Sequence, residues 1–313
     1  AHLVRVLREG ELPAVERAAA GRALAKLGDP RPGVGVREDG LPDIVWCEVP
    51  AGPFLMGSTD EDDRAFSDEK PQHEQIISMP YAISRYPITN AQYAAFVRAG
   101  GYAEARYWTK AGWAWRERRS LTGPEDYGAP YNLPNHPAVG VSWYEAGAFC
   151  RWLTDELKYK GELTGSQEIV LPTESQWEKA ARGTDGGIYP WGDESDSNLA
   201  NYADTGIGTT SAVGCFPGGK SPYGVEDLSG NVWEWTRSLW GKDIFDPEFK
   251  YPYDPMDGRE DLKAGDDIRR VGRGGGFLNR ARLVRCAYRL DLPFTRYRPY
   301  GFRVVVSPFS RTQ

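Results

Sequence analysis

Apolar residues at Leu12, Val15, Ala19, Ala23, Leu24 and Leu27 fall three and four positions apart, which gathers them on one face of a helix over Glu11 to Leu27. Gly28 stops that helix, and Asp29 to Gly33 reads as a turn-rich linker. Residues 1–40 are therefore expected to form an N-terminal helix and linker, and residues 41–313 a domain of their own. From Asp43 the pattern changes to short apolar runs broken by glycine, proline and acidic clusters. IVWCEVPAGPFLMGS predicts two strands separated by a turn at Ala51 to Pro53, Thr59 to Lys70 an exposed acidic loop, and Ile76 to Pro87 a further strand. Three helices announce themselves by their caps. Thr89 precedes NAQYAAFVRAG, which Gly100 ends; Ser142 precedes WYEAGAFCRWLTDEL; Thr173 and Gln176 are spaced as a capping box before ESQWEKAARG. Beyond Gly183 the chain reads mostly as loop. Few long helices and many short irregular segments predict an α+β domain rich in ordered loops.

The stretch from Arg270 to Val306 stands apart. The glycine run Gly274 to Gly276 and an apolar closing strand, Gly301 to Val306, frame a middle crowded with Phe277, Leu278, Leu283, Tyr288, Leu290, Leu292, Phe294, Tyr297 and Tyr300. Arg280, Arg282, Arg285, Arg289, Arg296 and Arg298 lie among them. Large rings and guanidinium groups offer much contact area for little side-chain entropy, which is why they dominate binding hot spots. The apolar positions of Leu290 to Tyr300 keep no period and two prolines interrupt them, so this is a loop, and its side chains are either ordinary core or a recognition surface.

Composition narrows the partners. With a net charge of −6 and a pI near 5.3, no general attraction to nucleic acid or to anionic membranes is expected, although the local arginine density would favour an acidic patch on a protein. No run approaches the ~20 apolar residues of a membrane span, and no signal-like segment opens the chain, so a cytoplasmic protein is expected. The chain does open on Ala1 rather than methionine, as a trimmed start would. Cys47, Cys150, Cys215 and Cys286 are far apart and form no CxxC pair, the pattern of buried free thiols. His2, His73 and His136 are equally scattered and offer no metal-binding spacing.

Taken in order, VPAGPFLMGS, YPITNAQYAAFV, HPAVGVSWYEAGAFCRWL, LPTESQWEKAARG, YPWGD, NYADTG, YGVEDLSGNVWEW, RGGGF and YGFRVV resemble the formylglycine-generating, sulfatase-modifying family from about Val49 to Val306. The resemblance implies a variant C-type lectin fold, an α+β domain with limited regular structure. It also implies a chemistry that this chain lacks the groups to perform. The enzymes use a cysteine pair with copper in the stretch after an RGGS-like turn, and here that stretch holds only Cys286, which matches a structural position in the RCAYR phrase. A lone thiol supplies neither the two-sulfur metal site nor the redox pair. A second branch uses a three-histidine iron site with an extra helical domain, which three scattered histidines do not match. No catalytic residue and no required cofactor are expected.

A non-enzymatic branch fits better: the segment resembles the variable proteins of diversity-generating retroelements, in which adenine-directed mutagenesis rewrites asparagine-type codons on a lectin scaffold. Such codons never yield Lys, Glu, Gln, Met or Trp, and none of these occurs from Phe277 to Tyr300, in a chain with 11 tryptophans. The positions matching variable slots are Phe277, Leu278, Leu283, Tyr288, Leu290, Asp291, Leu292, Phe294, Thr295, Tyr297, Arg298, Pro299 and Tyr300, with Asn279 and Arg280 less securely matched. Arg282, Arg285, Cys286, Arg289, Arg296, Phe302 and Arg303 match scaffold positions, where arginines are expected to pair with buried carboxylates or carbonyls. The resemblance further implies structural calcium at Asp227 and Glu234 with the carbonyls of Gly230 and Val232, and at Asn201 and Asp204 with the Tyr202 carbonyl. The alternative for the first set is that Asp227 caps a turn and Glu234 pairs with an arginine. The expected function is a ligand-binding protein, its partner a protein; the alternative is a formylglycine-generating-type oxidase or oxygenase with an altered active site.

Overall fold

Two helices come before any strand. In the computed structural model, which describes residues 1–307, α1 (His2–Glu9) turns at Gly10 into α2 (Ala14–Leu27). The expected helix begins at Ala14 rather than Glu11 because Pro13 occupies its N-cap. α1 is too short to show a period in the sequence. The pair packs on the body of the molecule: Leu7, Ala14, Ala20 and Leu24 share a cluster with Ala212, Cys215 and Phe216. Buried Arg17 donates to the carbonyls of Gly10 and Asn198, at 2.7 and 2.5 Å.

The body follows as β1 (Trp46–Val49), β2 (Gly52–Met56), β3 (His73–Ile77), β4 (Tyr81–Ser84), α3 (Asn90–Arg98), α4 (Lys110–Arg118), α5 (Trp143–Tyr159), β5 (Glu168–Val170) and α6 (Glu174–Arg182). After it come β6 (Trp233–Gly241), β7 (Arg269–Arg273), β8 (Leu290–Leu292), β9 (Tyr300–Gly301) and β10 (Val305–Ser307). The three expected caps all form as reciprocal boxes. The hydroxyls of Thr89, Ser142 and Thr173 accept from the N–H of Gln92, Glu145 and Gln176 at 3.2, 3.3 and 3.0 Å, and those three side chains accept the cap N–H in return.

The strands form three sheets: β1-β4-β10-β5, β2-β3, and β8-β7-β6-β9, in which β9 runs parallel to β6 and the other pairs are antiparallel. Tyr93 and Phe96 of α3 meet Phe149 and Trp152 of α5 and Phe302 in the largest core, an aromatic cluster beneath the third sheet.

Three expectations change. Ile76 to Pro87 is not one strand, because the chain breaks at Pro80 and β3 and β4 pair into different sheets. The region after Gly183 contains β6, nine residues long and buried along nearly its whole length, so its sequence shows no alternation. The closing strand divides into β9 and β10 around Phe302 to Val304, where the Val304 carbonyl accepts the Ser84 N–H at 2.9 Å. The end of the expected domain at residue 313 lies outside the described residues. No helix among the described residues is long and apolar enough to cross a membrane.

Candidate functional site

The segment between β7 and β10 begins with a turn that only glycine can make. Gly274 and Gly275 take φ of 89° and 72°, and a Cβ on Gly275 would stand 2.6 Å from the Leu283 carbonyl oxygen. The chain then folds back on itself, since Asn279 accepts the Gly276 N–H at 2.7 Å and the Cys286 N–H donates to the Ile188 carbonyl at 2.8 Å.

What fixes this loop is a set of buried ion pairs reaching across the fold. Arg285 places its two terminal nitrogens on the Glu69 carboxylate at 2.7 and 2.6 Å and donates from Nε to the Arg282 carbonyl at 2.9 Å. Arg289 grips Glu174 through Nε and Nη2 at 2.6 and 3.0 Å. Arg273 of β7 reaches Glu174 at 3.3 Å and pairs with Glu178, and also holds the carbonyls of Cys286 and Ala287 at 2.6 and 2.9 Å. Arg296 binds both oxygens of Glu145, the residue that closes the α5 capping box. Arg303 takes Glu234 at 2.6 and 2.8 Å. Burial alone would raise the Glu174 pKa, but Arg289 and Arg273 outweigh it and hold the carboxyl below its ordinary value. Among the expected scaffold arginines only Arg282 has an exposed side chain, and it too is tied, donating from Nε to the Arg64 carbonyl at 2.6 Å. The loop expected to be exposed over Thr59 to Lys70 is thus in part an internal counter-ion: Glu69 is fully buried.

The positions that match variable slots divide into three groups. Leu278, Tyr297 and Arg298 stand exposed. Leu283, Tyr288, Leu290, Asp291, Phe294, Thr295, Pro299 and Tyr300 are half-buried, and several rest on the core: Tyr288 against Trp233, Phe294 against Trp115 and Tyr144, Tyr300 against Trp235. Burial pushes the hydroxyls of Tyr288 and Tyr300 up to about 12, and Asp291, raised by burial, pairs with Arg269. Phe277 and Leu292 correct the expectation of an outward surface. Phe277 turns inward, where its N–H donates to the Asn231 carbonyl and its ring meets Tyr131 at 5.8 Å; Leu292 on β8 lies under β7, its side chain filling the space a Gly272 Cβ would need.

The sequence reading missed residues that other loops bring to the same face. Phe66 lies 5.3 Å from Tyr288 and under the Arg282 guanidinium at 3.9 Å, and Tyr131 lies under Arg298 at 5.1 Å. Tyr127 is close enough to Tyr297, Arg296 and Arg298 for their charges to bear on its hydroxyl. No local pattern marks these residues, because nothing near them in the chain needs them.

The chemistry-bearing side chains do not converge. All four cysteines are buried and none forms a disulfide, and burial pushes the thiols of Cys286 and Cys215 up to about 12, far from a nucleophilic or metal-binding thiolate. His73 accepts at Nε2 from the Tyr253 N–H at 2.9 Å, while Nδ1 of His136 lies 2.9 Å from the Thr210 hydroxyl. No group of three or more His, Cys, Asp or Glu able to hold a metal occurs among the described residues.

The expected calcium ligands are neighbours but do not fit the ion as arranged. Glu234 is spent on Arg303 and on the Trp177 indole N–H at 2.6 Å, the arginine-pairing alternative. Asp227 is buried, accepts the Gly214 N–H at 2.7 Å, and is pushed up to about 6 by burial. The Gly230 carbonyl accepts from Val232 and the Tyr202 carbonyl from Thr205, while Asp204 is exposed on the wall of an open hollow beside Trp191. Asn201 bridges to Gly230, and its Nδ2 lies 3.3 Å from the Asn231 side-chain oxygen, so hydrogen bonds join the loops that carry the two sets. Gly230 must be glycine there, since a Cβ would meet the Asn201 carbonyl oxygen at 2.1 Å.

Against known proteins, the family model for the sulfatase-modifying factor enzyme 1-like domain matches residues 36–308. The hercynine oxygenase of Mycolicibacterium thermoresistibile is 33% identical over 303 residues, covering 89% of this chain and 63% of that protein, so the chain spans less than two thirds of it. The formylglycine-generating enzyme of Thermomonospora curvata is 30% identical over 311 residues, covering 83% of this chain and 92% of the enzyme. Among solved structures, Treponema denticola variable protein 1 superposes with a TM-score of 0.58 at 19% identity, covering 84% of this chain and 95% of the other, a likeness of fold.

Proposed function

The chain belongs to the sulfatase-modifying factor enzyme 1-like family and has its C-type lectin-type α+β fold, and within that family we propose a non-enzymatic ligand-binding protein. Its C-terminal segment displays a diversified recognition surface of the kind carried by variable proteins of diversity-generating retroelements. The ligand is a protein, met in the cytoplasm; no nucleic acid, membrane or required cofactor takes part.

The observation that carries this reading is the division of labour along residues 277–300. Arg285, Arg289 and Arg296 are anchored to buried carboxylates contributed by three distant parts of the chain, and the positions matching variable slots, Phe277 and Leu292 aside, reach the surface at least in part. A backbone fixed by contacts that variation never touches can present changing side chains at little cost in stability. The competing reading, an oxidase or oxygenase with an altered site, draws on the names of the relatives. Against it stand the buried thiols and the hydrogen bonds that hold His73 and His136 elsewhere.

The test has two arms. The purified chain, loaded with copper and supplied with oxygen and a cysteine-containing sulfatase peptide, is expected to form no aldehyde; turnover would establish the oxidase instead. A library randomised at Leu278, Tyr297, Arg298 and Tyr300 is expected to stay folded and to yield binders against an unrelated protein such as lysozyme. A library that mostly unfolds, or that folds and never yields a binder, rejects the recognition surface.

A further inference from the structure

Three of the six arginines between Phe277 and Tyr300 are neutralised from below, and three are not. Arg280, Arg282 and Arg298 are exposed and have no carboxylate within salt-bridge distance among the described residues. The segment's one acid is already spent, since Asp291 pairs with Arg269. Three exposed cations without a paired carboxylate therefore occur in this one segment of a chain whose overall charge is −6.

Two of them are also held still. The Arg282 guanidinium lies over the Phe66 ring at 3.9 Å while its Nε donates to the Arg64 carbonyl at 2.6 Å. The Arg298 guanidinium lies over Tyr131 at 5.1 Å, and Tyr131 in turn meets Phe277, whose neighbour Leu278 is 63% exposed. Stacking on a ring fixes the plane of a guanidinium and leaves its N–H edge free, which lowers the entropy lost when that edge binds a carboxylate in bidentate fashion. Arginines kept only for solubility need no such platforms.

Resting on the recognition-surface reading, we propose that the ligand is an acidic polypeptide, its carboxylates taken by Arg282 and Arg298 with Arg280 adding charge, and an apolar side chain of the ligand seated on Leu278. Phe66 and Tyr131, which belong to other loops, are part of the binding site as platforms for the two arginines. Acidic groups border the face: Glu125 lies 3.7 Å from Arg296, and Asp126 holds the loop that carries Tyr131. They oppose a long polyanion such as a nucleic-acid backbone and tolerate a short acidic segment that projects inward.

The experiment pans a random peptide library against the full chain and against the triple variant Arg280→Ala, Arg282→Ala, Arg298→Ala, with thermal melts to verify that both are folded. Peptides enriched in Asp and Glu on the parent are expected. In fluorescence anisotropy those peptides should bind the triple variant about tenfold or more weakly, and Phe66→Ala or Tyr131→Ala should weaken them as well. Neutral peptides whose binding is lost in Leu278→Ala or Tyr297→Ala leave the recognition face standing and overturn the acidic preference, as does a panning that returns no binder. Binding insensitive to every one of these variants overturns the face itself. Capture of a labelled oligothymidylate by the parent and not by the triple variant assigns the cations to nucleic acid instead.

Discussion

Arg285 and Glu69, 216 residues apart in sequence, meet in a two-pronged buried pair at 2.7 and 2.6 Å, and this contact anchors the C-terminal loop to the acidic loop after β2. Both side chains are essentially excluded from water, so removing one partner strands most of the charge of the other, with Asp62 at 3.4 Å left beside Arg285. Arg285→Ala and Glu69→Ala are each expected to destabilise the protein by about 3–5 kcal/mol, read from urea unfolding. The double change Arg285→Met, Glu69→Leu should recover much of that loss, because two apolar side chains strand no charge. A loss of under about 1 kcal/mol in either single variant would show that the loop is held by other contacts.

Phe277 and Tyr297 both match variable slots, yet the fold treats them oppositely. Phe277 is 1% exposed and Tyr297 51% exposed, its ring 5.3 Å from that of Tyr300. Tyr297→Ala should change unfolding free energy by less than about 0.5 kcal/mol, and Phe277→Ala should cost roughly 3–5 kcal/mol. Equal losses from the two would mean that the outward and inward positions have been confused.

Much of this division was legible in the sequence, and the part that was not has one physical origin. The caps at Thr89, Ser142 and Thr173 are local devices, set by residues three apart, and each formed where the spacing put it. The family resemblance marks Arg285, Arg289 and Arg296 as fixed, but it cannot say to what, because their carboxylates lie 216, 115 and 151 residues away. For the same reason Glu69 read as one more exposed acid. The platforms Phe66 and Tyr131 were invisible, since a ring is placed beneath a guanidinium by the packing of separate loops. Burial of Leu292 followed only once β8 was seen to pair with β7.

His136 makes stability depend on pH in a definite direction. Its ring is buried, Nδ1 lies 2.9 Å from the Thr210 hydroxyl, and burial, with Arg22 adding repulsion, pushes its pKa from 6.5 down to about 3. The unfolded chain takes up a proton below about 6.5 that the folded chain refuses, so this contribution is fully present above that pH and is lost as pH falls towards 3. From pH 8 to 5 the residue should account for about 2 kcal/mol of lost stability. Urea unfolding of the parent and of His136→Asn across this range separates it from the carboxylates; parallel slopes for the two proteins would rule the residue out.

Thiol reactivity tests the proposed non-enzymatic role directly. Copper-dependent oxidation needs two thiolates that can face one metal, whereas all four cysteines are buried, Cys150 and Cys215 in separate clusters and Cys47 and Cys286 within a third, with the Cys286 thiol raised to about 12 by burial. With Ellman's reagent at pH 8 the native protein is expected to react hardly at all over minutes, and the full complement of 4 thiols to react once it is unfolded in guanidinium. Addition of copper(I) to the native protein should leave both the slow reaction and the melting temperature unchanged, since no pair of thiols stands open to bind it. One fast-reacting thiol in the native state, or protection of a thiol by copper, would mean that a reactive site opens in solution and would return the oxidase to consideration.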